Sequence, residues 1–176
     1  PTTEIYIDGI EVWNIVFNQF YCDKAAKLTP LKIQGVDTGM GLERLAMVSQ
    51  GKKNIFETDL FKPFIEMLPE YLADSTKRII ADHARAIVFL IGDGVLPSNK
   101  DAGYVMRRLI RRGWRYLKKV FPTATNDHVI EILKVFFSTY KKIYPELDTD
   151  KFGLILKEID KFSETLKDGL KEFEKG

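Results

Sequence analysis

The first third of the chain has the apolar pattern of β-strands. Residues 4–36 are rich in isoleucine, valine, tyrosine, phenylalanine and tryptophan, and Asp8-Gly9 supplies a turn signal between two apolar runs. A third short run, LKIQGVD, follows Pro30. We therefore expect three strands that are connected as an antiparallel meander.

The apolar spacing becomes helical after the third run. Thr38 is a suitable N-cap for a helix over GMGLERLAMVSQG, which we expect to end at Gly51. The segment DLFKPFIEMLPEYL predicts a short helix that is interrupted around Pro69, because proline cannot continue a helix. Longer helices are predicted at 75–91, 102–119, 126–143 and 150–174.

The change of pattern near residue 60 divides the chain. We predict an α+β fold in which residues 1–60 form a β-rich module and residues 61–176 form a mainly α-helical bundle. The helix at 75–91 is apolar around most of its circumference, which is typical of a helix in the middle of a bundle. The last helix carries a heptad-like apolar stripe: Phe152, Ile155, Ile159, Phe162, Leu166 and Phe173.

Composition excludes several classes of protein. A hydrophobic content of 45% in 176 residues is ample for a packed core, which excludes a disordered chain. The single cysteine, Cys22, excludes a disulfide framework, and with only two distant histidines, His83 and His128, a zinc site is not expected. No apolar run approaches the ~20 residues that span a bilayer. The lone cysteine fits a reducing, cytoplasmic environment. Because the sequence starts at Pro1 and not at a methionine, we expect the chain to begin inside a longer protein.

The segment VDTGMGLER, residues 36–44, combines features of ligand-binding turns. It is not a dinucleotide fingerprint, because Arg44 stands where the third glycine is required, and it lacks the Gly-Lys-Ser/Thr ending of a P-loop. There remains Asp37 at a strand end, followed by Gly39 and Gly41, which let a ligand approach the backbone. Arg44 in the following helix can stack on an aromatic base or pair with phosphate oxygens. The alternative is a tight strand-to-helix turn with Arg44 in a surface salt bridge.

Four blocks of the sequence resemble one family, in order and with matching spacing. VDTGMGLER closely resembles motif 3 of the class II aminoacyl-tRNA synthetases, in the form carried by alanyl-tRNA synthetases. EVWNIVFNQF (11–20) resembles the strand just upstream in that family, and FETDLFKPFI (56–65) resembles its YDTDLF segment. IIADHARAIVFLIGDGVLPSNKDAGYVMRRLIRRGWRY (79–116) resembles its tRNA-recognition domain. The resemblance runs from about residue 4 to the C-terminus. It implies that residues 1–60 are the C-terminal part of a class II catalytic domain with its antiparallel sheet and motif 3, and that residues 61–176 are part of the helical tRNA-recognition domain.

The resemblance implies an ATP site. In class II synthetases the motif 3 arginine stacks on adenine and faces the γ-phosphate, so Arg44 is expected to be the catalytic contact to ATP. The nucleotide is used with Mg²⁺ in the full-length enzyme. The expected ATP-binding residues are Arg44, Gly39, Gly41 and Glu43.

The same resemblance implies an alanine pocket. The family associates the first aspartate of the motif with the α-amino group of alanine, so Asp37 is expected to bind it, and a carboxylate at a strand end suits an ammonium group. Asn14, in the WN pair upstream, and Gly39 are expected to line the pocket. For Asn14 the alternative is a hydrogen-bonding role at a strand end.

The parent reaction of the family joins alanine to its tRNA with ATP, a step of protein biosynthesis. Motif 1 and motif 2 are not found before the WN strand, and the motif 2 arginine of the family grips the α-phosphate. Because adenylate formation requires the triphosphate to be held from several sides, the isolated chain is not expected to activate alanine. The remainder of the synthetase is therefore an expected partner. The zinc ligands of the family belong to its editing domain, so no metal ligand is assigned in this segment.

One predicted helix carries an unmixed basic face. On a helical wheel of residues 105–120, seven cations fall within an arc of roughly 140° opposite the apolar side chains. Because like charges at such spacing repel, the arc favours a polyanion such as the tRNA acceptor stem. The alternative is pairing with acids of neighbouring helices. The seven cations are Arg107, Arg108, Arg111, Arg112, Arg115, Lys118 and Lys119.

The loop before this helix presents Ser98, Asn99 and Lys100. An asparagine both donates and accepts hydrogen bonds, which suits the recognition of a base edge. In alanyl-tRNA synthetases the asparagine of the PSN motif helps to recognise the G·U wobble pair of the tRNA(Ala) acceptor stem, and Asn99 occupies that position. A later aspartate that works beside it in the family is expected beyond Gly176. The alternative for Asn99 is ordinary turn chemistry after Pro97.

Two further hypotheses for function remain. One is a non-catalytic RNA-binding module descended from a synthetase, which would keep the basic helix without the motif 3 chemistry. The other is a helical interaction domain that binds a partner through its C-terminal apolar stripe. The intact Asp37, Gly39, Gly41 and Arg44 argue against the first. His83, Trp13 and Trp114 are expected to be packing residues.

Overall fold

A computed structural model describes residues 1–175. The chain divides into two compact units, Pro1–Lys62 and a second unit from Pro63 onward. The first contains a three-stranded antiparallel sheet and the second is helical, so the predicted α+β class is confirmed.

The first unit is built on a meander of three strands: β1 (Thr2–Ile7), β2 (Ile10–Cys22) and β3 (Leu28–Met40). They pair antiparallel in the order β1-β2-β3. Asp8 and Gly9 join β1 to β2 with φ angles of 51° and 79°. Two consecutive positive φ values are what a two-residue hairpin turn requires, and Asp-Gly is a favoured pair there. The turn predicted from the sequence is therefore confirmed.

Helix α1 (Leu42–Ser49) follows the sheet, and its N-cap is Gly41. The expectation that Thr38 caps this helix is wrong, because Thr38 still belongs to strand β3. Its hydroxyl joins strands instead: it accepts a hydrogen bond from Trp13 Nε1 at 2.5 Å and donates one to the Asn14 carbonyl at 2.8 Å. The residue after the helix, Gln50, is followed by glycine at a positive φ, as predicted for the C-terminal end.

A 3₁₀ turn (Ile55–Glu57) and the short helix α2 (Lys62–Met67) lead into the helical part. Helix α2 ends before Pro69, as expected for a segment that proline interrupts. Phe61 and Phe64 are almost fully buried here.

The second unit contains four longer helices, which lie close to their predicted positions. Helix α5 ends three residues earlier than the predicted 126–143. The chain turns back after it, because the Lys141 ammonium donates to the carbonyl oxygens of Pro145 and Leu147. The four helices are α3 (Asp74–Gly92), α4 (Asp101–Val120), α5 (Asn126–Tyr140) and α6 (Phe152–Lys175).

Helix α3 packs against both α4 and α5, and α4 packs against α6. The α3 residue His83 is buried, as expected, and its Nδ1 lies 3.0 Å from Asp82 Oδ2. The core is made by the apolar faces of all four helices: Ile80, Ile87, Ile91, Met106, Ile110, Leu117, Leu133, Phe136, Phe152, Ile155 and Ile159.

The apolar stripe of α6 is buried only over its first half. Phe152, Ile155 and Ile159 belong to the core, whereas Leu166 and Phe173 are 46% and 83% exposed. The same helix therefore contributes both to the core of the unit and to its surface.

Candidate functional site

The three residues expected to bind alanine lie together on the sheet. Asn14 of β2 is directly opposite Gly39 of β3, and the next pair on the same face is Val16 opposite Asp37. Because alternate residues of a strand share a face, Asn14, Gly39 and Asp37 form one continuous patch. We call these three residues the sheet patch.

The contacts within the sheet patch determine which polar groups can bind a ligand, namely the Asn14 amide nitrogen and the Asp37 carboxylate. The Gly39 N–H donates to Asn14 Oδ1 at 3.2 Å, which directs the Asn14 amide nitrogen away from Gly39. A β-carbon at position 39 would lie 3.3 Å from the same oxygen, so the close approach favours glycine. Asp37 is exposed. The patch thus offers a carboxylate for a cation and amide donors for an anion, the two ends of an amino acid.

Arg44 lies in the first turn of α1, where its side chain folds back across Gly41. A β-carbon on Gly41 would come within 3.3 Å of the Arg44 Cδ atom. The Arg44 guanidinium donates through Nη1 to the Glu11 carbonyl at 2.9 Å and lies 3.3 Å from the Glu11 carboxylate. Because the guanidinium is held at one nitrogen while its side chain is 51% exposed, its planar face remains available to a ligand. Glu43 stands beside it and is partly buried.

The glycines do not form a phosphate nest. The Gly41 N–H donates to the Val12 carbonyl at 3.1 Å, and the Gly39 N–H donates to Asn14 Oδ1. A nest binds an anion through backbone N–H groups that have no other acceptor. These glycines provide space instead, and the group in this turn that fits a nucleotide is the Arg44 guanidinium.

The basic arc of α4 separates into two sets of side chains. Arg108, Arg112, Arg115 and Lys119 are exposed. They recur at intervals of four, three and four residues, so they form one row along the helix. We call this the outer row. Like charges in an exposed row attract a polyanion, which fits the expected role in RNA binding.

The other three cations of the arc are engaged within the protein. Arg107 Nε and Arg111 Nε donate to the same oxygen of Glu158, at 3.2 and 2.7 Å. Glu158 belongs to α6 and is buried. Lys118 donates to the carbonyl oxygens of Pro122 and Ala124 at 2.6 and 3.0 Å. Arg107 and Arg111 therefore follow the alternative considered from the sequence, in which cations of this helix pair with acids of a neighbouring helix.

The loop before α4 is held against the first turn of the helix. Ser98 N donates to the Gly103 carbonyl at 3.1 Å, and Ser98 Oγ donates to the Lys100 carbonyl at 2.9 Å. A β-carbon on Gly103 would lie 2.3 Å from Ser98 Oγ, so this contact excludes a side chain. Asn99 is exposed, and its Oδ1 accepts a hydrogen bond from Arg107. The structure thus brings Ser98, Asn99 and Lys100 next to the start of the basic helix.

A depression of about 350 Å³ lies beside the outer row. Phe162 contributes to its wall, and the Arg111 guanidinium lies 5.1 Å from the centre of that ring. The depression is lined by His83, Val105, Arg108, Leu109, Arg111, Arg112, Arg115 and Phe162. A basic surface with an aromatic side chain is suited to phosphates and bases together.

The contacts of three residues near these sites were not predicted from the sequence. Glu11 anchors Arg44, Thr38 joins β2 to β3 beside Asn14, and Glu158 anchors Arg107. For Glu158 the sequence carried a signal, because this acid lies between two residues of the apolar stripe of α6. A carboxylate there requires a partner from another helix.

The family described as tRNA synthetases class II (A) matches residues 3–176. The chain belongs to this family.

Within this synthetase family, the similar proteins are named alanine–tRNA ligase. The one from Petrotoga mobilis is 41% identical over 174 residues, which cover 92% of this chain and 20% of that protein. That from Halalkalibacterium halodurans is 41% identical over 190 residues, with coverage of 98% and 21%, and that from Thermotoga maritima is 39% identical over 178 residues, with coverage of 94% and 20%. The chain spans about one-fifth of the length of these curated relatives.

Within residues 1–175, no group of three or more His, Cys, Asp or Glu side chains is placed to hold a metal ion. No helix in the same range combines the length and the apolar character needed to cross a membrane.

Proposed function

We propose that this chain is the part of an alanine–tRNA ligase that joins one side of the ATP and alanine pocket to the start of the acceptor-stem binding surface. The observation that carries the proposal is the identity of about 40% to alanine–tRNA ligases over more than nine-tenths of the chain. The parent enzyme acts in the cytoplasm. There a carboxylate oxygen of alanine attacks the α-phosphorus of ATP and releases pyrophosphate. A ribose hydroxyl of the terminal adenosine of tRNA(Ala) then attacks the carbonyl carbon of the adenylate, which transfers alanine and releases AMP.

The sheet patch binds alanine in this proposal. The exposed Asp37 carboxylate pairs with the α-ammonium group, and the Asn14 amide nitrogen donates to the alanine carboxylate. Gly39 supports this arrangement because its N–H fixes the orientation of the Asn14 amide. A site with an acceptor at one end and a donor at the other orients the amino acid for attack through one carboxylate oxygen.

Arg44 acts on ATP, which brings its own Mg²⁺. Its guanidinium stacks on adenine and faces the γ-phosphate, and Glu11 limits its movement through two contacts. Gly41 leaves the space across which the Arg44 side chain folds. A planar cation that is already held in place loses little conformational entropy when the nucleotide binds. The remaining contacts to the triphosphate come from the rest of the synthetase.

The loop at Ser98–Lys100 and the outer row of α4 bind the acceptor stem. Asn99 contacts the edge of the G·U pair, and the outer row contacts phosphates on either side. The two groups of residues have different roles, because phosphate contacts position an RNA and base contacts determine sequence specificity. Arg107 and Arg111 contribute less to phosphate binding than the outer row, because Glu158 already neutralises part of their charge.

The exposed apolar side chains of the sheet are covered by the remainder of the synthetase in this proposal. Ile33, Val36, Tyr21 and Leu28 are all at least 60% exposed. Large exposed apolar areas on a sheet are typical of an interface.

A hybrid enzyme tests the proposal. The matching segment of the Petrotoga mobilis alanine–tRNA ligase is replaced by this chain, and alanine-dependent ATP–pyrophosphate exchange is measured. We expect exchange with alanine, a raised KM for alanine in Asp37→Ala and a lowered kcat/KM for ATP in Arg44→Ala. Lys32→Ala, a change of an exposed residue on the same strand as Asp37, is the matched control. A folded hybrid without exchange, or unchanged kinetics in both variants, would contradict the proposal.

A further inference from the structure

A buried carboxylate connects helix α6 to the basic helix. The Glu158 side chain is only 10% exposed and receives hydrogen bonds from both Arg107 and Arg111. Burying a carboxylate away from water is unfavourable unless hydrogen-bond donors offset the lost hydration. The two arginine donors provide this compensation for Glu158. Both guanidinium groups are therefore held against Glu158.

Arg107 uses its other nitrogen to reach the loop before α4. Its Nη1 donates to Asn99 Oδ1 and lies 3.4 Å from the Ser98 carbonyl, while its Nε is bound to Glu158. One guanidinium therefore joins a buried acid to an exposed asparagine. Arg111 makes the same bond to Glu158 and has no hydrogen bond to the loop in the described structure.

We propose that Glu158 and Arg107 are positioning residues for base recognition by Asn99. The inference rests on the proposed role of Asn99 at the acceptor stem. Because Arg107 occupies Asn99 Oδ1, the amide presents its two N–H donors outward and withholds its acceptor. Asn99 then selects acceptor atoms on a base edge, and an amide that rotates freely loses this selectivity.

A merely structural role for Glu158 makes a different prediction. Loss of the buried acid would then lower the stability of the chain and reduce its affinity for every RNA to the same degree. If Glu158 instead positions Asn99, its substitution changes the ratio of the affinities for two RNAs. The same substitution has no effect on that ratio in a variant that already lacks Asn99. Arg111 provides the matched control, since Arg111→Lys weakens the ion pair with Glu158 and leaves Arg107 in place.

The first measurement needs no RNA. The order parameter of the Asn99 side-chain amide is measured by ¹⁵N relaxation on the whole chain. We expect an ordered amide in the wild type and in Arg111→Lys, and a value below about 0.6 in Arg107→Lys and Glu158→Gln. Lysine lacks the separate Nε and Nη1 atoms through which Arg107 reaches Glu158 and Asn99, so we expect Arg107→Lys to lose the contact to Asn99. A mobile Asn99 amide in the wild type, or an unchanged one in Arg107→Lys, overturns the proposal.

The second measurement compares acceptor hairpins with a G·U or a G·C pair by filter binding. We expect Glu158→Gln and Arg107→Lys to reduce the G·U preference about as much as Asn99→Ala, roughly tenfold. Arg111→Lys lowers both affinities together. Combining Glu158→Gln with Asn99→Ala adds no further loss of preference.

The outcomes separate the two proposals. If the wild type shows no preference, or Asn99→Ala retains it, the role of Asn99 in the proposed function fails, and the positioning role fails with it. If Asn99→Ala loses the preference while Glu158→Gln and Arg107→Lys keep it, only the positioning role fails.

Discussion

Gly39 lies directly opposite Asn14 across the β2–β3 pair, and its N–H donates a hydrogen bond to Asn14 Oδ1 at 3.2 Å. The contact joins the two strands at the point where an amino acid is expected to bind. It orients the Asn14 amide without a side chain at position 39, and a β-carbon there would lie 3.3 Å from the oxygen.

Gly39→Ala is expected to raise the KM for alanine in the hybrid enzyme by about fivefold, the equivalent of one lost hydrogen bond of about 1 kcal/mol. The added methyl group displaces the Asn14 amide, whereas the Arg44 contacts stay in place, so the KM for ATP should change little. Gly35→Ala is the control, because it lies on the same strand and a β-carbon there has no neighbour within 4 Å. Equal effects of the two substitutions would show that the Asn14 contact is unimportant for alanine binding.

Gly103→Ala is expected to destabilise the chain by about 1–3 kcal/mol in urea unfolding. The new β-carbon would lie 2.3 Å from Ser98 Oγ and 2.4 Å from the Leu96 carbonyl, so the loop must move. Gly113→Ala in the same helix serves as the comparison. Its β-carbon would meet only His83 at 3.8 Å, and we expect it to stabilise the helix by up to about 1 kcal/mol. A neutral Gly103→Ala would show that the loop is not held against α4.

Arg115→Gln is expected to reduce the salt dependence of RNA binding by about one phosphate contact, measured as the slope of log K against log salt concentration. Arg115 belongs to the exposed outer row, so its charge is available to a phosphate. Lys118→Gln should lower stability and change the slope less, because Lys118 holds the chain after α4 through two carbonyl oxygens. Identical slopes for Arg115→Gln and wild type would remove the outer row from the RNA surface.

Asp82→Asn is expected to show a pH-dependent effect on stability. The pKa of Asp82 is held below its ordinary value by the hydrogen bond from His83, assisted by the positive charges of Arg85 and Arg112 and opposed by partial burial. A lowered carboxyl pKa stabilises the fold above the unfolded value of about 3.9, and this contribution disappears as the pH falls through the folded-state pKa. The difference from wild type should be present at pH 5 and shrink below about pH 4.

Its size should stay under about 1 kcal/mol, because the Asp82 side chain is 61% exposed. Urea unfolding at pH 7, 5 and 3.5 measures it. A difference that grows between pH 5 and 3.5 has the wrong sign for a lowered carboxyl pKa.

The sequence predicted elements whose apolar spacing was long and regular. Helices α3, α4 and α6 lie within two residues of their expected ends, and the Asp8-Gly9 turn is where its chemistry requires it. Thr38 was misassigned, because its hydroxyl serves equally well at a helix start and between strands, and strand pairing decided between them. Pairing is a long-range property that local spacing does not contain.

The same limit applied to the candidate sites. The seven cations of α4 form one arc on a wheel, but the wheel does not show which of them face another helix. Glu158, 47 residues after Arg111, separates the paired set from the outer row. Likewise the nearness of Asn14 to Gly39 follows from the register of β2 and β3, which the sequence does not give.

The most direct test of the proposed function compares the affinity of the wild-type chain for two acceptor hairpins that differ only in a G·U or a G·C pair, with Asn99→Ala alongside. We expect the G·U hairpin to bind about tenfold more tightly to the wild type, and the two hairpins to bind equally to Asn99→Ala. Equal binding of both hairpins by the wild-type chain, or a preference that survives in Asn99→Ala, would contradict the role of this chain in recognising the acceptor stem.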